Sequence, residues 1–103
     1  MGEVIEIETQ KLPPFTERAE QVIEFLNKKT GRRYPARNPQ GIATASLELI
    51  IMRIKEGYTV EDCKSVIAKK WRDWGHDEKM YKFVSPQTLF RRSNFERYIG
   101  ELE

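Results

Sequence analysis

Three stretches of this chain repeat apolar residues at intervals of three and four, and each is fenced by proline or glycine. At 3.6 residues per turn, that spacing lines the apolar side chains along one face of a helix. In the first stretch Ala19, Val22, Ile23 and Leu26 recur, with Phe15 extending the line one turn earlier. Thr16 suits an N-cap, Glu17 and Glu20 suit the positive end of the helix dipole, and Gly31 suits a C-cap, which predicts a helix over 17–30. In the second, Asn38-Pro39 reads as an N-cap and first helical residue, with a helix from Ile42 to Glu56 ending at Gly57. Leu47, Leu49, Ile50, Ile51, Met52 and Ile54 point in too many directions for a narrow stripe, so this helix is expected to be the central, most buried one. In the third, Thr59-Val60-Glu61-Asp62 approximates a capping box and opens a helix running to Gly75, its apolar line being Val60, Cys63, Val66, Ile67, Trp71 and Trp74.

Beyond Gly75 the pattern shortens. Ser85-Pro86 can start a brief helical turn through Leu89 and Phe90, and Ser93-x-x-Glu96 reads as a capping box for a last helix carrying Phe95, Tyr98, Ile99 and Leu102. Met1 to Pro14 alternates apolar and acidic residues without an evident partner strand, and reads as a linker or loosely docked arm. The expectation is an all-α protein with a single domain over 15–103, a compact bundle of three main helices plus short C-terminal helical segments.

A chain of 103 residues supports one core. Its longest apolar runs, such as Leu49 to Met52, fall far short of the roughly 20 residues that cross a bilayer, so no membrane partner is expected. No basic segment followed by an apolar one opens the chain, and the single Cys63 has no disulfide partner within it, which together suggest a cytoplasmic setting. The net charge of +2 conceals a gradient. Six glutamates stand against Lys11 and Arg18 up to Asn27, a balance of −4, and the remainder of the chain carries +6.

Catalysis finds little support. His76 is the only histidine and Cys63 the only cysteine, so neither a zinc cluster nor a triad can be assembled from them. Asp73, Asp77 and Glu78 near His76 read as solvated surface, and no phosphate-binding glycine loop occurs. A non-enzymatic protein without cofactor or metal is expected.

Four blocks in order carry a resemblance. They are Val22-Ile23-Glu24-Phe25-Leu26-Asn27-Lys28-Lys29-Thr30-Gly31, then Lys55-Glu56-Gly57-Tyr58-Thr59-Val60-Glu61-Asp62, then Pro86-Gln87-Thr88-Leu89-Phe90, then Asn94-Phe95-Glu96-Arg97-Tyr98-Ile99. Together they resemble the conserved C-terminal domain of phage and prophage replication proteins, over about Ala19 to Leu102. Members commonly follow an N-terminal winged-helix or replisome-organiser domain, and the family is similar to DnaD-type primosomal proteins. Cys63-x-x-x-Ile67-x-x-x-Trp71 is similar to the Tyr-x-x-x-Ile-x-x-x-Trp motif of DnaD-type domains, with cysteine in the tyrosine's place. Three apolar residues four apart on a helix are also ordinary core, and Trp71 is expected there, while Trp74 stands nearer the helix end.

The resemblance implies an accessory module of a replication initiation or helicase-loading protein. Lys28, Lys29, Arg32, Arg33, Tyr34 and Arg37 form a basic stretch in which the cations suit phosphates and Tyr34 suits an unpaired base. Lys64, Lys69, Lys70 and Arg72 make a second cationic face on the third helix, extended by Arg91 and Arg92 if the C-terminal segment folds back. DNA bound with weak sequence preference is the expected partner. The alternative is a docking domain for a helicase, a loader or a second copy, through apolar residues of the irregular C-terminal segment. Cations converging on one face favour DNA; scattered cations beside an exposed Tyr81, Phe83 or Phe90 favour docking.

Overall fold

The computed structural model describes residues 13–102, so the expected arm from Met1 to Pro14 falls, all but its last two residues, outside the described residues. Helix α1 spans Phe15–Thr30, α2 Ala45–Lys55 and α3 Val60–Trp74; a short 3-10 turn at Tyr81–Phe83 then leads to α4, Pro86–Leu89, and α5, Arg92–Gly100. Among the described residues there is no strand, only an isolated bridge between Arg37 and Ala43. No helix among them is long and apolar enough to cross a membrane.

The helix boundaries follow from local chemistry. Gly31 ends α1 in the left-handed conformation at φ 76°, where its N–H donates to the Asn27 carbonyl. The Thr59 hydroxyl accepts from the Asp62 N–H at 3.0 Å while the Asp62 carboxylate accepts from the Thr59 N–H at 2.9 Å, the reciprocal capping box that opens α3. Thr59→Ala should therefore lower stability by about 1 kcal/mol in a denaturant titration, and an unchanged midpoint would deny the cap its role. At the far end of α3, Gly75 lies against its own helix: a Cβ there would collide with the Trp71 carbonyl and meet the indole at 2.7 Å. Ser85 caps α4, accepting from the Thr88 N–H with Pro86 in the first turn.

Three boundaries differ from expectation. Helix α1 starts at Phe15 without a side-chain cap, and Phe15 is exposed rather than part of the buried line. Helix α2 starts at Ala45 behind Thr44, whose hydroxyl accepts from the Leu47 N–H. Asn38 has turned its side chain to the loop instead, accepting at 2.9 Å from the N–H groups of both Gln40 and Ile42. At the C-terminus, Ser93 and Glu96 lie inside α5, and Glu96 pairs with Arg92 in place of capping.

The core is one cluster. Ala19, Val22, Ile23 and Leu26 of α1 pack against Leu47, Ile50 and Ile54 of α2 and against Cys63, Val66 and Ile67 of α3. Helix α1 is thus the element against which both α2 and α3 lie, a place expected for α2. Helix α2 is amphipathic after all, since Met52 is 53% exposed. The C-terminal third closes the other side with Val84, Leu89, Phe90, Phe95 and Tyr98. Phe90 stacks on Phe95 at 5.3 Å between centroids, and Tyr58 meets Phe95 edge-on at 4.9 Å.

Candidate nucleic-acid interface

The cations among the described residues differ in what they touch. One group is turned inward. Arg32, in the loop after α1, donates through Nη1 to the Val84 carbonyl at 2.8 Å and to the Tyr34 hydroxyl at 3.1 Å, and through Nη2 to the Tyr81 carbonyl at 2.9 Å. Arg53 of α2 is 3% exposed and donates to the Phe90 carbonyl and to Glu56, both at 2.9 Å. Lys70 of α3 is 5% exposed; its ammonium donates to the Glu101 carboxylate at 2.8 Å and sits over the rings of Trp74 and Tyr98 at 4.7 and 4.2 Å. Each main helix or its following loop thus sends one cation to the C-terminal third. These three side chains clasp residues 81–101 to the bundle.

Arg37 is also engaged, with Glu20 at 2.8 Å and the Gly41 carbonyl at 2.9 Å. Tyr34 is half-buried against the core, and the Asn27 side-chain amide pairs with its backbone N–H and carbonyl, both at 2.9 Å. The loop expected to present a free aromatic is therefore pinned to α1, and Tyr34 is a packed residue there. Removing the Arg32 guanidinium breaks three hydrogen bonds, two of them to carbonyls about fifty residues away. Arg32→Ala should cost about 2 kcal/mol, far above the few tenths of an ordinary surface substitution. Calorimetric melting checks this.

The second group is free. The side chains of Lys28, Lys29, Arg33, Lys64 and Arg72 make no hydrogen bond or ion pair among the described residues, and Lys28, Lys29, Arg33 and Arg72 are exposed. Three of them converge. The Lys29 ammonium from α1 lies 5.8 Å from the centre of the Phe25 ring and the Lys64 ammonium from α3 lies 5.5 Å from it. Lys28 and Lys64 line one shallow depression of about 200 Å³ together with Gln21, Glu24 and Phe25. In the sequence Phe25 lies beside the Val22, Ile23 and Leu26 line with no cation-binding signal of its own; only the packing of α1 on α3 brings cations from two elements to it.

The rest of the α3 face is more balanced. Lys69 pairs with Asp73 at 2.9 Å and lines a second depression with Ser65, Ala68, Arg72, Glu101 and Leu102. The C-terminal segment does fold back on α3, but it delivers Glu101 there, while Arg92 lies with Glu56 and Glu96. Hydrogen bonds from Lys70 to Glu101 and from Lys69 to Asp73 hold both carboxyls below their ordinary values. For Glu101, whose ordinary value is 4.5, the depressed folded-state value means that its contribution to stability is present above that pH and is lost as the pH falls through the depressed value. Melting temperatures of the parent should drop below about pH 4.5 more steeply than those of Glu101→Gln; parallel curves would remove the clasp from the stability of the fold.

Cys63 is buried on the core side of α3, and burial foremost, then the neighbouring Asp62, pushes its thiol up to about 12. It stays protonated at neutral pH, since burial disfavours the thiolate. With Ile67 fully buried and Trp71 half-buried against the core, the Cys63, Ile67 and Trp71 line is a packing line here.

Residues 22–100 match the family described as Conserved phage C-terminus. The chain belongs to that family. The matched span begins in the middle of α1 and runs through α2, α3 and α4 to the end of α5. No curated protein and no solved structure matches the chain.

Proposed function

We propose that this phage C-terminal domain is a non-enzymatic, accessory DNA-binding module of a phage or prophage replication initiation or helicase-loading protein of the DnaD-related type, acting in the cytoplasm. The observation that carries the reading is the meeting of Lys28, Lys29 and Lys64 around Phe25, cations from two helices that make no ion pair among the described residues. Arg33 and Arg72 add exposed positive charge to the surface, Lys69 is paired with Asp73, and Arg32, Tyr34, Arg37 and Lys70 hold the framework. Ammonium groups displace counterions from phosphates without reading bases, so binding is weak in sequence preference and steep in salt. With roughly three to five phosphates contacted, the slope of log affinity against log salt should be about −2 to −4. Anisotropy titrations of labelled DNA across a salt series test it. Absence of binding at low salt, or binding indifferent to salt, defeats it.

Docking to a helicase or loader is the second reading, and one observation favours it. Phe15, Ala43, Ile51 and Met52 line an open groove of about 530 Å³ between the start of α1 and α2. The C-terminal surface first expected to dock is less suited. Phe90 is buried, and the exposed rings of Tyr81 and Phe83 carry the cations of Arg32 and Lys82. A domain that fails to bind DNA, yet retains a replicative helicase until Met52 is replaced by a charged residue, would establish docking instead.

A further inference from the structure

We propose that the depression over Phe25 is a nucleobase-stacking site, so that this interface takes single-stranded nucleic acid in preference to duplex; the inference deepens the DNA-binding reading and rests on it. Phe25 is half-buried: it packs against the core and also lines the open depression. What surrounds it on the open side is polar or cationic: Gln21, Glu24, Lys28 and Lys64 share the depression, and the ammoniums of Lys29 and Lys64 lie within 6 Å of the ring centre. A half-covered aromatic ring set among cations is the composition with which proteins hold single strands, the ring taking the face of a base and the cations taking the flanking phosphates.

Size and charge agree with that division. At about 200 Å³ the depression is smaller than the sites of drug-sized ligands and suits one ring system. Glu24 repels phosphate, which leaves the phosphates to Lys28, Lys29 and Lys64. Its carboxylate and the Gln21 amide can instead meet the edge of a stacked base, as a carboxylate accepts from an exocyclic amine. Both ammoniums sit on flexible stems, and a base arriving on the ring frees them for charge-assisted hydrogen bonds to the neighbouring phosphates. Paired bases in a duplex offer no free face to the ring, so duplex meets only the cations.

The test compares three probes of equal length with the full chain: oligothymidylate, an abasic oligonucleotide with the same phosphates, and a duplex. Phe25→Leu keeps apolar bulk but removes the ring face, and Phe25→Tyr keeps the ring. The parent should bind oligothymidylate more tightly than the abasic strand. Phe25→Leu should weaken oligothymidylate binding by about 5- to 100-fold, leave abasic and duplex binding as they were, and be rescued by Phe25→Tyr. Equal binding of abasic and thymidine strands by the parent overturns the stacking site even if Phe25→Leu fails to fold. So does a folded Phe25→Leu protein that binds oligothymidylate like the parent. Either result leaves the electrostatic reading standing, whereas a parent that binds none of the three probes removes both.

Discussion

Replacing Phe95 with alanine should destabilise the protein by about 3–5 kcal/mol, a large share of the roughly 5–15 kcal/mol that holds a domain of this kind together. Phe95 is fully buried between the stacked ring of Phe90 and the edge of Tyr58, and it is the main apolar anchor of α5. Truncation removes its transfer free energy and leaves a cavity that two aromatic neighbours cannot easily fill. Phe95→Leu, which restores most of the volume, should lose clearly less. Urea denaturation monitored by far-ultraviolet circular dichroism measures both. A Phe95→Ala protein within a few tenths of the parent would mean that the C-terminal third does not contribute to the core as the packing requires.

Arg53→Ala is expected to cost nearly as much, about 3–4 kcal/mol, for a different reason. The guanidinium is almost wholly enclosed, and its removal leaves the buried Phe90 carbonyl without its donor as well as an empty channel where the side chain ran. Its Nε already lacks a partner, so the native arrangement carries one unsatisfied donor. Arg53→Met fills the channel and removes that donor, and should lose only about 1–2 kcal/mol. Arg53→Lys offers one ammonium in place of a fork and cannot serve Phe90 and Glu56 with the same geometry. If Arg53→Ala and Arg53→Met proved equally damaging, the hydrogen bond to Phe90 rather than the filled volume would dominate the site.

Much of this architecture was legible in the sequence where a signal is local. The Thr59 to Asp62 box, the Gly31 terminus and the Ser85-Pro86 start all depend on residues within a few positions of one another, and each lies where its chemistry requires. Asn38 shows the limit of such signals, because a side-chain carbonyl accepts equally well from a helix N-terminus or from a tight loop. The positive φ of Gly41 and the bridge from Arg37 to Ala43 accompany the loop. Ser93 failed as a cap because α5 starts one residue before it, at Arg92 behind Arg91.

The fate of the cations was not legible. Arg32 and Arg33 are neighbours of one type in one loop, yet the first reaches carbonyls of residues 81 and 84 and the second faces solvent. Arg53 on α2 and Lys70 on α3 occupy core-facing positions whose partners lie 37 and 31 residues further on, respectively. Long-range partners of this kind leave no trace in spacing or composition. For the same reason Phe25 carried no signal until α3 placed Lys64 beside it.

The separation of clasping from free cations is tested most directly by the salt dependence of single-stranded DNA binding in a protein carrying Lys28→Gln, Lys29→Gln and Lys64→Gln together. None of the three makes an ion pair among the described residues, so melting should match the parent within about a degree or two. Three lost phosphate contacts should flatten the slope of log affinity against log salt by about two units and weaken binding accordingly at low salt. A folded triple variant that keeps the parent's affinity and slope would contradict the placement of the interface at Lys28, Lys29 and Lys64.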